Sequence, residues 1–215
     1  MSTTTMTDRF ERLAQLGAAT VHEAQGRIGA MDSGIKPLDP SMKLAGPAVT
    51  VDCLPSDNLA IHQAVTVARP GDVLVVDAKA FIEAGPWGDV LSLYAQLAGI
   101  AGLVIDGSVR DTRQIVQMGF PVFSRAICIK GTLKFQPGAV NAPIVCAGVR
   151  INPGDIVVGD ADGVVIVPAL DLDRVQELAE AREAKEELFR AELRAGKTLV
   201  DLLELGPRLH ELGYR

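Results

Sequence analysis

Little in the chain ties it to a membrane, a nucleic acid or an oxidising compartment. No uninterrupted apolar run reaches the roughly 18 residues of a membrane span, and the first 20 residues carry Asp8, Arg9, Glu11 and Arg12 where a signal peptide would have an apolar core. Positive charge is not in excess: 21 Lys and Arg face 27 Asp and Glu, a net charge of −6, which argues against a general nucleic-acid or anionic-lipid surface. There are only three cysteines, Cys53, Cys128 and Cys146, an odd number without paired spacing. Each sits in an apolar run, so they read as buried, reduced thiols of a cytoplasmic protein. His-x3-His, a cysteine cluster, G-x-S-x-G and a phosphate-binding P-loop are all missing.

What is present is a globular chain of 215 residues, 48% hydrophobic, long enough for one domain with a substantial core. Residues 7–25 read as two short helices broken at Gly17, followed by a Gly/Pro-rich connector from Gly26 to Pro40. Short β-branched runs then alternate with helix-length segments. Strands are expected over Ala48–Leu54, Val73–Asp77 and Leu103–Asp106, and helices from Asn58, Asp89 and Asp111. Runs such as VLVVD and LVID lack polar alternation, which predicts a largely parallel sheet buried on both faces. After Pro121 the spacing shortens to Val122–Ser124, Ala126–Ile129, Ile144–Cys146, Ile156–Gly159 and Val164–Val167, which predicts hairpins or a second small sheet. The echo of Pro70-Gly71-Asp72 in Pro153-Gly154-Asp155 reads as one turn chemistry used twice. Leu170–Ala195 is a long charged helix whose apolar stripe is thin, suited to the surface or to a neighbouring subunit.

The chemistry-bearing window is Gly85-Pro86-Trp87-Gly88-Asp89-Val90-Leu91 with Asp106-Gly107-Ser108-Val109-Arg110-Asp111. Two glycines bracket a helix start, leaving amides near Asp89–Leu91 free for an anion. Arg110 and Asp111 follow a buried strand at the carboxyl edge of a parallel sheet, where such folds hold ligands. An arginine fork can hold a carboxylate, and a neighbouring carboxylate can hold a hard divalent cation, so the pair suits a 2-oxo acid. The plainer alternative is that Asp111 N-caps the next helix and Arg110 makes a surface ion pair. His62 lies in an apolar helical segment that suits packing as well as acid–base work; His22 and His210 read as structural or surface groups, and Lys79 and Lys134 are the candidates for Schiff-base chemistry.

Asp89, twenty intervening residues, then Arg110-Asp111 resembles the D-x20-R-D signature of class II pyruvate aldolases of the 4-hydroxy-4-methyl-2-oxoglutarate and 4-carboxy-4-hydroxy-2-oxoadipate type, within the RraA-like superfamily. The resemblance runs from Thr20 to about Pro168 and includes PGDVLVVD, Gly131-Thr132-Leu133-Lys134, Pro137-Gly138-Ala139-Val140-Asn141 and Asp160 through Pro168. It implies a layered α/β sandwich of RraA-like, phosphohistidine-domain-like swivelling type, with a β-rich second half and a C-terminal helical extension. Residues 1–168 would form the catalytic domain and 169–215 the extension. It implies a divalent-metal-dependent aldolase of aromatic-compound degradation, forming pyruvate and a second oxo acid and decarboxylating oxaloacetate. In that reading Arg110 binds the pyruvyl carboxylate or keto oxygen and stabilises the enolate. Asp111 holds Mg²⁺ or Mn²⁺ largely through water, and Asp89 orients Arg110 and that water. Backbone amides after Gly88, at Val90 and Leu91, complete the pyruvate site. Asn58, His62, Thr132 and Lys134 match polar positions of the same pocket. A glutamate of the C-terminal helix, Glu186 with Glu183 and Glu187 as alternatives, enters from an adjacent subunit of a homotrimer or hexamer. The rival implication is a non-catalytic RraA-like regulator that inhibits a ribonuclease by protein contacts.

Overall fold

A computed structural model of the chain describes residues 5–214. Helix α1 (Met6–Leu16) opens with a capping box in which the Thr5 hydroxyl accepts from the Asp8 amide and the Asp8 carboxylate accepts from Thr5. It stops at Gly17, whose φ of 84° turns the chain into α2 (Ala18–Ala24). The connector contributes an edge strand, β1 (Lys36–Pro37). Then follow β2 (Leu44–Asp52), α3 (Leu59–Val67), β3 (Val73–Phe81), α4 (Asp89–Leu97), β4 (Gly102–Val109), α5 (Thr112–Met118) and β5 (Val122–Ile127). The second half is β6 (Ala139–Val140), the hairpin β7 (Ile144–Cys146) and β8 (Val149–Ile151), and the hairpin β9 (Ile156–Asp160) and β10 (Gly163–Val167). A 3₁₀ turn leads into α6 (Leu172–Arg194), followed by α7 (Leu199–Leu202) and α8 (Gly206–Glu211).

The main sheet runs β1-β5-β4-β3-β2-β9-β10, with β6 pairing β2 from the side. Strands β2 to β5 are mutually parallel and the remaining pairs antiparallel, so the sheet is mixed around a parallel centre. One strand joins its halves: Leu44–Pro47 of β2 pairs with β9, and Ala48–Asp52 pairs with β3. As the unalternating strands predict, both faces are covered. Leu74, Val76, Leu103 and Ile105 pack under α3, α4 and α5, while Val73, Val75, Val104 and Phe123 pack against Met31, Ile35 and the β7–β8 hairpin. A third cluster joins α1, α2 and the start of α6 to β9–β10.

Three local expectations need adjustment. β5 is continuous where two strands were expected, because Arg125 in its middle pairs with the buried Asp106 and stays inside the sheet. α6 is anchored by its own chain over its first half, where Leu172, Val175 and Ala179 are buried against α1 and α2. Cys53 and Cys146 are buried but Cys128 is only partly so, just beyond β5. The paired turns behave as expected. Gly71 and Gly154 have φ of 89° and 87°, and the Asp72 and Asp155 carboxylates accept from the amides of Arg69 (2.7 Å) and Asn152 (2.8 Å). No helix among the described residues is long and apolar enough to cross a membrane.

Candidate active site

Because β2 to β5 are parallel, the segments that follow them emerge at one edge, and all four contribute to one cleft of about 280 Å³. After β2 come Asn58 and His62; after β3, Gly85 through Leu91 except Trp87; after β4, Arg110 and Asp111; after β5, Gly131, Thr132 and Lys134. Every residue expected in the pocket of the same subunit therefore lines this cleft.

The Arg110–Asp111 wall is held from behind by Trp87. That ring is fully buried, stacks on Phe120, donates from Nε1 to Ser92 Oγ at 2.7 Å, and its carbonyl accepts from the Arg110 amide at 2.9 Å. Asp111 has φ of 55° and ψ of 36°, a left-handed conformation that aspartate tolerates better than most residues. This sharp turn takes the chain from β4 into α5. The Asp111 side chain makes no capping hydrogen bond to α5, so the simple cap reading fails. Its Oδ2 instead lies 3.4 Å from Arg110 Nε and 3.4 Å from the Asp89 amide. The carboxylate nearest the guanidinium is thus Asp111, not Asp89, and both side chains are partly open to the cleft.

Glycines create the room. A Cβ on Gly88 would collide with Asp111 Oδ2 and stand 3.2 Å from Arg110 Nε, whereas one on Gly85 would strike the Cys128 carbonyl. Gly88 precedes the first turn of α4, whose Asp89, Val90 and Leu91 line the cleft. The Val90 amide expected to be free donates to Asp89 Oδ1 at 2.8 Å, so the chain's own carboxylate occupies part of the helix terminus.

The opposite wall depends on Asp57, a residue that no motif or spacing singles out. This carboxylate is 2% exposed; Oδ1 accepts from the Leu59 amide at 2.8 Å, and Oδ2 accepts from Phe135 at 2.8 Å and Gln136 at 3.2 Å. It therefore pins the Thr132–Lys134 loop to the start of α3. Burial alone would raise its carboxyl pKa, but the backbone amides more than offset this and hold it below the ordinary value. Asn58 Nδ2 donates to the Pro86 carbonyl at 2.8 Å, bridging the two walls. Burial first, and the Lys134 charge second, hold His62 below its ordinary pKa, so the ring is neutral near pH 7.

Glu183, Glu186 and Glu187 do not line this cleft within the same chain. Glu186 pairs with Arg182 at 3.0 Å and Arg190 at 3.3 Å, Glu187 with Arg190 at 3.0 Å, and Glu183 with Arg12. Lys79 is not an available amine either. Burial would lower its pKa, but ion pairs with Asp52 and Asp77, both 2.6 Å, outweigh burial and keep it charged. Among the described residues no three His, Cys, Asp or Glu side chains gather as a metal cluster.

Fold and cleft define a small α/β protein with an arginine–carboxylate site at the carboxyl edge of a parallel sheet. The chain belongs to the RraA-like family, Aldolase/RraA, whose model matches residues 3–166. It is 40% identical over 180 residues to a Halalkalibacterium halodurans protein named "Putative 4-hydroxy-4-methyl-2-oxoglutarate aldolase", covering 84% of this chain and 86% of that one. An uncharacterized protein from Pseudomonas syringae has a similar solved structure, with TM-score 0.81 and 28% identity over 94% of this chain and 95% of that one. Streptomyces coelicolor RraAS2, titled an unusual member of the RNase ES inhibitor RraA protein family, superposes with TM-score 0.76 and 31% identity over 86% of this chain and 98% of that one.

Proposed function

We propose that the protein is a divalent-metal-dependent aldolase that cleaves 4-hydroxy-2-oxo acids, such as 4-hydroxy-4-methyl-2-oxoglutarate or 4-carboxy-4-hydroxy-2-oxoadipate, to pyruvate and a second oxo acid. Oxaloacetate decarboxylation would be a second activity of the same site. The carrying observation is the arrangement of Arg110, Asp111 and Asp89 on one wall of the cleft, with Gly88 keeping space beside them. The name of the Halalkalibacterium relative supports the same reading.

Both reactions break the C3–C4 bond and leave the electron pair as a pyruvate enolate; in one the C4 hydroxyl loses its proton as a carbonyl forms, in the other CO₂ departs. Arg110 faces the cleft with a fixed fork of donors that can hold the pyruvyl oxygens and the negative charge developing on the enolate. Removing one such donor typically costs about 3 kcal/mol of transition-state stabilisation. The donors facing the cleft beside Arg110 are the hard oxygens of Asp111 and Asp89, with no thiol on that wall. One or two carboxylates, completed by water and substrate oxygens, fit Mg²⁺ or Mn²⁺ and do not fit a soft metal. When bound, such a cation would polarise the 2-oxo group as a Lewis acid. Asp89 is tied to its own helix terminus and holds that end of the wall, its amide toward Asp111.

The test is pyruvate release from 4-hydroxy-4-methyl-2-oxoglutarate and from oxaloacetate, before and after EDTA, with Mg²⁺ or Mn²⁺ restored. Turnover that EDTA abolishes and metal restores supports the reading; its absence in folded protein overturns it. The likeness to the Streptomyces chain favours a second reading, a regulator that binds a ribonuclease by protein contacts. Such a protein has no physical need for the Arg110–Asp111 arrangement, and a folded chain that inhibits a ribonuclease without any lyase activity would establish it.

A further inference from the structure

Asp52 and Asp77 are register partners at the carboxyl ends of β2 and β3, so two carboxylates stand side by side on one face of the sheet. Lys79 lies between them. Its ammonium is 2.6 Å from an oxygen of each, and its own amide donates to the other oxygen of Asp77 at 2.9 Å. Asp77 is 7% exposed, so without this cation it would be a buried charge with a like charge beside it.

The backbone at the same place is strained. Lys79 and Ala80 have φ of 58° and 52°, two successive non-glycine residues in the left-handed region. They sit in an interruption of the ladder: Val76 pairs with Ile105 and Phe81 with Gly107, so residues 77–80 stand against Asp106 alone. Beyond this bulge the chain is stapled to β4 step by step. The fully buried Ser108 donates its hydroxyl to the Ile82 carbonyl at 2.8 Å, Trp87 bridges to Val109, and the Arg110 amide donates to the Trp87 carbonyl at 2.9 Å. The bulge thus fixes how far the segment from Gly85 to Leu91 reaches along β4, and with it where Gly88 and Asp89 stand against Arg110 and Asp111.

We propose that Lys79 is a positioning residue of the cleft: its ammonium, clamped between Asp52 and Asp77, holds the left-handed bulge of β3 and so sets the wall that carries Gly88 and Asp89. Lys79 does not line the cleft and acts through the backbone. A single exposed ion pair would add little. This cation instead neutralises two opposed carboxylates, one of them buried, and ties the bulge to two strands at once. The clamp serves whatever chemistry the cleft performs, so its role stands apart from the aldolase reading.

Trp87, the one tryptophan of the chain, lies in the positioned segment and is fully buried, so its fluorescence reports the wall without any assay of turnover. Lys79→Met should raise the acrylamide quenching constant of Trp87 about twofold or more at a temperature where circular dichroism shows a native fold. Lys79→Arg, which keeps the charge, should restore most of the protection. Ala80→Gly keeps the clamp and suits the left-handed backbone, so it should leave both quenching and melting temperature at least as favourable as in wild type. In the pyruvate-release assay Lys79→Met should lower kcat/KM about tenfold. Should Lys79→Met fail to fold, Asp52→Asn, which frees one end of the clamp, decides by the same measurements. Unchanged quenching in the folded variant, an equal rise in Ala80→Gly, or raised quenching with kcat/KM unchanged overturns the positioning role. A wild type without lyase activity overturns the aldolase reading and leaves the fluorescence comparison to decide the role of Lys79.

Discussion

Asp111 Oδ2 stands 3.4 Å from Arg110 Nε, and the space in front of both is kept open by the missing side chain of Gly88. A cation and a carboxylate this close, each partly exposed, would gain little as a surface ion pair. The left-handed backbone at Asp111 adds a conformational cost that packing must offset. That combination is better explained by ligand chemistry than by stability, and it sets the first prediction. Gly88→Ala would press on the mobile end of Asp111, so melting temperature should change little while kcat/KM falls about tenfold or more. Gly85→Ala would strike the rigid Cys128 carbonyl and should lower stability as well, so the two variants separate when melting and turnover are measured side by side.

Arg110→Lys keeps the charge but loses the planar fork. With the Lys variant folded, kcat/KM for pyruvate formation should drop by roughly two orders of magnitude, the effect of removing a donor to a developing oxyanion. Steady-state kinetics in saturating Mg²⁺ would read this directly, and near-normal turnover would assign Arg110 to the surface.

Asp111→Asn and Asp111→Ala ask separate questions. Asn accepts the left-handed backbone as readily as Asp, so the Asn variant should melt like wild type and yet lose metal-stimulated activity. Ala tolerates that backbone less well and should cost about 1 kcal/mol in addition. Denaturant unfolding with a parallel metal titration would show whether the carboxylate serves the fold or the reaction.

Much of the candidate site's placement is legible because its parts follow strands whose continuous apolar runs mark them as central and parallel. Once VLVVD and LVID are aligned as neighbours, Asp89 and Arg110-Asp111 must emerge at one edge. Asp57 was not legible, since its role lies in amides of Phe135 and Gln136, some 78 residues away, and backbone donors leave no trace in composition. The left-handed turn at Asp111 is hidden for a related reason: aspartate before a helix reads as a cap, and only the backbone angles show otherwise. The continuity of β5 through Arg125 was not legible either, since it depends on the ion pair with Asp106 on β4, a partner that local spacing does not show.

Asp57 gives a prediction with a defined pH sense. Asp57→Ala strands the buried amides it now satisfies and should destabilise the protein by about 2–3 kcal/mol, loosening the Thr132–Lys134 loop. Because its carboxyl is held below the ordinary 3.8, its share of stability is fully present above the unfolded value and is lost as pH falls through the folded one. Unfolding free energies measured from pH 6 down to pH 2 should therefore show a shallower acid decline in the variant than in wild type.

The last prediction concerns the subunit boundary. Only the first half of α6 is buried by its own chain, and further along Leu188 is 67% exposed. Beside the cleft, α4 shows solvent a stripe of Val90, Leu93, Tyr94 and Leu97, spaced as one helical face. Exposed apolar faces of this kind suit a second copy of the chain, and a homotrimer or hexamer would carry α6 toward a neighbour's cleft. Within its own chain Glu186 is held by Arg182 and Arg190, but exposed i,i+4 pairs of this kind contribute only about 0.3–0.5 kcal/mol each, so they would not keep the carboxylate from a neighbouring site. If Glu186 does serve the adjacent subunit, Arg110→Ala and Glu186→Ala homo-oligomers should each be impaired, and mixing them under subunit exchange should recover activity by assembling some intact sites. Light scattering should report an oligomer that Leu93→Glu with Leu97→Glu disperses. A monomeric wild type, or mixed variants that exchange subunits without any recovery, would return Glu186 to the role it has in the isolated chain, a solvated partner of two arginines on α6.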